Sequence, residues 1–223
     1  MGVLLALVSV PTAMITHGAI QMVANGWRAY LLRDDINWLV FRRYTTGAVA
    51  GVAALGVVFA FGLTLEKSQV YFVLGLTPLL VWLPKEWFDL DILRREQAFG
   101  AGILVQGLNT IAGVAGPVLD LFFVRNAMTR QQIVATKSVT QCLSHIIKIG
   151  FWSVPAIYAS TESVFPPMWF LLTAIPLAMG GTWLGKQVLL RMQDTNFKQI
   201  VKYLVTIIGG YYLMRWGLAT FAT

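Results

Sequence analysis

The sequence predicts an all-α, polytopic integral membrane protein with about seven hydrophobic segments in two related halves. Three observations carry that expectation. Charged residues make up 12% of the chain and hydrophobic ones 57%, and the mean hydropathy is +0.68. Runs free of Asp, Glu, Lys and Arg recur at 1–27, 44–65, 68–84, 97–119 and 163–185. A helix needs roughly 20 such residues to cross a bilayer. Finally, the polar pattern of the first half returns 120 residues later.

The first segment runs from about Val3 to Leu32, and Pro11 predicts a kink in it. Its second half carries His17, Gln21, Asn25 and Arg28, whose spacing puts them on one helical face. Arg28 belongs at the interface beside Trp27. The apolar start lacks a basic n-region, so it reads as retained rather than as a cleaved signal. The second segment, Leu39 to Leu65, is rich in small residues, and Gly47-x-x-x-Gly51 suits close helix packing. Glu66-Lys67 is a tight loop, and Ser68 to Pro84 forms a short third segment bracketed by Trp82 and Trp87.

The charged stretch 85–97 connects two halves, 1–84 and 98–223. The second half opens with an apolar run broken at Gly113-Val114-Ala115-Gly116-Pro117. Glycine permits non-helical backbone, and proline suits the first position of a new helix. The short segment Val118 to Asn126 follows. Ile133 to Gly150 then carries Lys137, Gln141, His145 and Lys148 on one face. Lys148 lies near the end of that segment, so its ammonium is expected to snorkel to the interface. A stretch from Ser153 to Pro167 has no Lys or Arg. Met168 to Leu184 includes Gly181-x-x-x-Gly185, a second packing pair. A basic loop, Lys186 to Lys202, precedes Tyr203 to Gly217.

Composition excludes several classes. The net charge of +7 sits in short loops between apolar runs, which is the positive-inside pattern and not a nucleic-acid face. The lone Cys142 excludes an internal disulfide and a multi-cysteine metal site. There is no His-Glu-x-x-His, no Gly-x-Ser-x-Gly and no P-loop, so enzyme chemistry, metals and cofactors are not expected.

The break suggests a binding site. Helix N-termini at membrane depth attract anions, and irregular backbone there lines protein or water. Lys137, Gln141 and His145 would supply donors facing Pro117. Asp120 would neutralise the site or carry a coupling proton. The repeat pairs His17, Gln21, Asn25 and Arg28 with Lys137, Gln141, His145 and Lys148. Transporters are often duplicated in this way.

His17-Gly18-x-x-Gln21-x-x-x-Asn25-x-x-Arg28 resembles the first-half signature of the TauE/SafE family of membrane transporters. Gly113-x-x-Gly116-Pro117, followed by Ala135-Thr136 and the Gln141–His145–Lys148 helix, resembles its second-half signature. The resemblance implies a secondary transporter that exports a small anion, such as sulfite or an organosulfonate, across the bacterial inner membrane. It implies a substrate site drawn from His17, Gln21, Asn25, Gly113, Gly116, Pro117, Lys137, Gln141 and His145. It leaves room for a homo-oligomer. Family members usually open with a Gly-rich broken segment ahead of the helix bearing His17. None precedes it here, so a shortened, inactive or accessory subunit is the competing expectation, and a membrane-embedded enzyme a weaker one.

Charge counting sets the topology. If every segment crosses, both sides are basic. If the broken segment enters and leaves on one side, the stretches 28–43, 85–96, 125–131 and 186–199 all become cytoplasmic, and the halves are inverted relative to each other.

Overall fold

The structure, a computed structural model, describes residues 8–61, 71–72, 75–76, 79, 82–84, 89–113, 115–124, 126–159 and 165–221. Among these residues it is all helical, without strands. Seven helices follow in order: α1 (Val10–Leu31), α2 (Trp38–Ala60), α3 (Arg95–Ala112), α4 (Gly116–Val124), α5 (Arg130–Ala159), α6 (Met168–Arg191) and α7 (Asp194–Phe221). A 3-10 turn, Arg33–Asp35, joins α1 to α2. The Glu66-Lys67 loop, most of the third segment and Trp87 lie outside the described residues.

Local chemistry sets the helix ends. Pro11 falls in the first turn of α1 behind Ser9, the N-cap, so it starts the helix instead of kinking it. Asn37 Oδ1 accepts from the Val40 N–H at the start of α2. Thr129 and Gln132 form a reciprocal capping box ahead of α5, at 3.2 and 3.3 Å. Gly113 ends α3 with φ 75, the left-handed region where glycine carries no steric cost.

Three boundaries differ from expectation. Helix α5 runs unbroken for 30 residues, through position 155, so it absorbs the start of the stretch expected beyond Gly150. The expected basic loop 186–202 is two helix ends joined at 192–193. The two glycine pairs also differ. A Cβ on Gly47 would strike the Phe99 carbonyl, and one on Gly102 the Tyr44 carbonyl, so α2 and α3 touch backbone to backbone. A Cβ on Gly181 or Gly185 would meet nothing within 4 Å, so that pair packs against no described neighbour.

Helix directions follow from contacts. Gly47 meets Phe99 and Gly51 meets Ile103, so α2 and α3 run parallel. His17 meets Lys148 and Met22 meets Cys142, so α1 and α5 run antiparallel. Helix α4 folds back beside α3, because the Phe122 carbonyl accepts from the Ile92 N–H at 3.0 Å, just ahead of α3. The broken segment is therefore a helical hairpin that turns from Gly113.

That hairpin brings the basic stretches to one end of the molecule. Arg43 donates to the Leu93 carbonyl, Lys186 to the Leu31 carbonyl and Lys198 to the Asn126 carbonyl. Arg130 pairs with Asp194 at 2.7 Å. The core lies around α4, whose residues Pro117 to Phe123 are buried apart from half-buried Asp120. Polar groups are inside as well, including Gln106, Asn109, Thr110, Ser144 and Lys148. Apolar groups line the outside of α6 and α7, such as Leu172, Leu177 and Ile207. Such an exposed apolar surface suits lipid rather than water. By length and composition one described helix, Met168–Arg191, qualifies as a membrane span.

Candidate functional site

Two cationic clusters stand on the α1–α5 pair. The first is a buried centre at the bend of the hairpin. Lys148 is fully buried, and its Nζ lies 3.0 Å from His17 Nδ1 and 3.2 Å from the Gly113 carbonyl oxygen. The His145 ring packs edge-on against His17 at 5.6 Å. Among the described residues, no carboxylate lies within ion-pair distance of Lys148. The left-handed turn at Gly113 ends the helix, which frees the acceptor that Lys148 uses. Lys148 was expected to snorkel; its burial overturns that.

A polar seam surrounds the centre. Gln106 and Asn109 of α3 reach the Ser144 carbonyl at 3.5 and 3.3 Å. Ser144 Oγ lies 3.0 Å from the Tyr44 hydroxyl. Trp152 Nε1 donates to the Thr110 carbonyl at 2.9 Å. Gln106 Oε1, Asn109 Oδ1, Gln141 Nε2 and His145 Nδ1 are buried with no partner among the described residues. Buried polar atoms normally have one, and an unpartnered set marks room for a polar ligand or water.

The second cluster lines an open cavity of about 530 Å³ near the basic end. Asn25, Arg28, Asp120, Lys137 and Lys186 form its polar wall, and Leu189, Val201 and Val205 are among its apolar residues. Lys137 pairs with Asp120. Arg28 donates to Asn25 Oδ1 at 3.2 Å. Asn25 in turn donates to the carbonyl and side-chain oxygens of Gln21. Asp120 lies in the middle of α4, past its first turn, so its ionised form is held by Lys137 and not by the helix dipole.

The candidate ligands thus divide. His17, Gly113 and His145 converge on the buried centre, and Gln141 lies on the same face of α5 one turn from His145. Asn25 and Lys137 face the cavity, with Gln21 bonded behind Asn25. Gly116 and Pro117 begin α4, while the polar contacts gather at the Gly113 side of the break. Gln106, Asn109, Thr110 and Ser144 were not singled out from sequence. The stripe Gln106, Asn109, Gly113, at three- and four-residue spacing inside an uncharged run, was the available signal.

A helical body with cations and amides inside, apolar side chains outside and a hairpin break ending on a buried lysine has the build of a membrane transporter. Residues 1–212 match the family described as Sulfite exporter TauE/SafE. The chain belongs to that family, and membrane transport is its setting. No curated protein and no solved structure matches the chain significantly.

Proposed function

We propose that this protein is a secondary transporter that moves a small anion, of the sulfite or organosulfonate type, across the bacterial inner membrane. The observation that carries the reading is Lys148: a buried cation held by an imidazole and a carbonyl, with no acid beside it among the described residues. Such a group leaves positive potential in a low-dielectric interior, and an anion would complete it. The unpartnered Gln141 Nε2 and, in the tautomer with a proton on Nδ1, His145 would supply directional hydrogen bonds to it. His17, Gly113 and His145 are the proposed ligands here, with Gln141 beside them. The cavity bearing Asn25 and Lys137 is the approach to it.

The chain in this reading is multi-pass, with the α3–α4 hairpin re-entrant. At about 1.5 Å per residue, α4 measures about 13 Å, too short to cross. The convergence of four basic stretches on one end supports a cytoplasmic position for that end. Single cysteines placed as Gln132→Cys and Thr195→Cys, in a Cys142→Ser background, should both be shielded from an impermeant external reagent. External labelling of either would reverse the orientation.

The function is tested in proteoliposomes loaded with sulfite or an organosulfonate. Lys148→Gln removes the charge while keeping a donor. Its efflux should fall at least about tenfold, the usual loss for a charge-assisted hydrogen bond. Undiminished efflux of every anion tried would remove Lys148 from the transport site.

A further inference from the structure

The α1–α5 contact has an internal symmetry. Met22 and Cys142 are 120 residues apart, the period of the sequence repeat, and they touch: Cys142 Sγ lies 3.5 Å from the Met22 carbonyl oxygen. Equivalent positions of two copies meet each other only at a two-fold axis between them. The same shift carries His17 onto Lys137 and Lys148 back onto Arg28. The buried His17–Lys148 pair therefore has a counterpart, Arg28 with Lys137, on the other side of that axis. Both counterparts line the open cavity.

We propose that the cavity is a second anion-binding site, in which the Asp120 carboxylate is the resident ligand that an incoming oxyanion displaces from Lys137. This rests on the anion-transport reading and deepens it by naming a gate. Three cations, Arg28, Lys137 and Lys186, face the cavity against one carboxylate, Asp120. The two clusters differ in just this respect, since the buried one has no acid among the described residues. The Lys137 and Asp120 side chains retain 27% and 13% exposure, so the pair can be reached from the cavity. A volume of about 530 Å³ exceeds what a small oxyanion and several waters fill.

Displacement leaves Asp120 beside a second anion, so anion binding and protonation of Asp120 favour each other. Asp120 touches Lys137 from α5, and the other charged groups lining the cavity are Arg28 from α1 and Lys186 from α6, with apolar Val201 and Val205 from α7. The balance is simple. One anion and one proton enter, the Lys137–Asp120 ion pair breaks, a Lys137–oxyanion pair forms, and the proton goes to the freed Asp120 carboxylate.

Methanesulfonate is the probe, because it stays a monoanion throughout the pH range used. Binding to the full chain in nanodiscs is measured by calorimetry between pH 8 and pH 5. The wild type should bind more tightly as pH falls, by up to about tenfold per unit if one proton is fully linked. Asp120→Asn should bind about tenfold more tightly at pH 8 and lose the pH dependence. Lys137→Gln should abolish binding at the cavity. Asp120→Ser guards against a misfolded amide variant. The wild type alone gives a further measure, because titrations in buffers of different ionisation enthalpy count the protons taken up with each anion. No proton uptake, uptake that persists in Asp120→Asn, or binding unchanged in Lys137→Gln would overturn the proposal. These are equilibrium readings made without transport, so they can fail while Lys148 keeps its role, or hold while efflux does not.

Discussion

Lys137 and Lys148 stand on one face of one helix, eleven residues apart, about 16 Å along its axis. The two sites solve the problem of a lysine among apolar helices in opposite ways. Near the basic end, Lys137 keeps some exposure and takes a carboxylate partner. Deeper in, Lys148 has no exposure, two neutral acceptors and, among the described residues, no carboxylate. A carboxylate beside Lys148 would cancel its field, whereas imidazole and carbonyl dipoles satisfy the hydrogen-bonding geometry and leave the charge available. The difference teaches that the helix break is an acceptor as much as a donor. Its Gly113 carbonyl points to a cation, while the N-terminal end at Pro117 packs into the core.

Charge reversal should widen that difference most. Lys148→Glu would place a carboxylate among the Gly113 carbonyl, His17 and amide oxygens, with no described cation in reach. Leaving a buried charge uncompensated costs about 3–5 kcal/mol, enough to unfold many domains. Lys137→Glu sets two carboxylates together in an open cavity, with Arg28 and Lys186 on its walls. Thermal unfolding in detergent should therefore show a large loss for Lys148→Glu and a modest one for Lys137→Glu. Equal losses would mean that the two environments are not distinct.

The sequence made the break legible because Gly113 and Pro117 act locally: one allows the left-handed turn and the other opens the next helix. The polar face of α5 was legible from spacing alone. Its end was not, and this misplaced Lys148. The helix continues nine residues beyond Gly150, to Ala159, so Lys148 is well inside it, and its side chain is buried between α1 and the Gly113 turn. The division of the candidate ligands into two clusters was also hidden. It depends on antiparallel packing of α1 on α5, which turns His17 toward Lys148 and Arg28 toward the cavity that holds Lys137. Asp120 was singled out from sequence as a group beside the break, but its pairing with Lys137 needed the fold-back of α4 along α3. What covers Gly181 and Gly185 was not legible, because a spacing pattern specifies a smooth helix face without specifying its partner, and no described residue packs on this one.

A third ion pair extends the comparison to the surface. Arg130 and Asp194 tie α5 to α7 at the basic end, with the Asp194 side chain 40% exposed. Arg130 holds the Asp194 carboxyl below its ordinary value, first through the side-chain hydrogen bond and then through its backbone N–H. Because the folded state favours the ionised form, the tie contributes stability above the unfolded carboxylate range and loses it as pH falls through the lowered folded value. At an exposed site that contribution is small and screened by salt over about 8 Å at physiological ionic strength. Asp194→Asn keeps an oxygen acceptor and removes the charge. Its melting temperature should sit slightly below that of the wild type at neutral pH and down to about pH 4, near the ordinary carboxylate value. The gap should close below that, and added salt should shrink it at any pH. Three ion-bearing sites would then rank by depth, with the effect of removing or reversing a charge largest at Lys148, smaller at Lys137 and smallest here. A gap for Asp194→Asn that matches the loss in Lys137→Glu, or that persists unchanged into acid, would break the ranking.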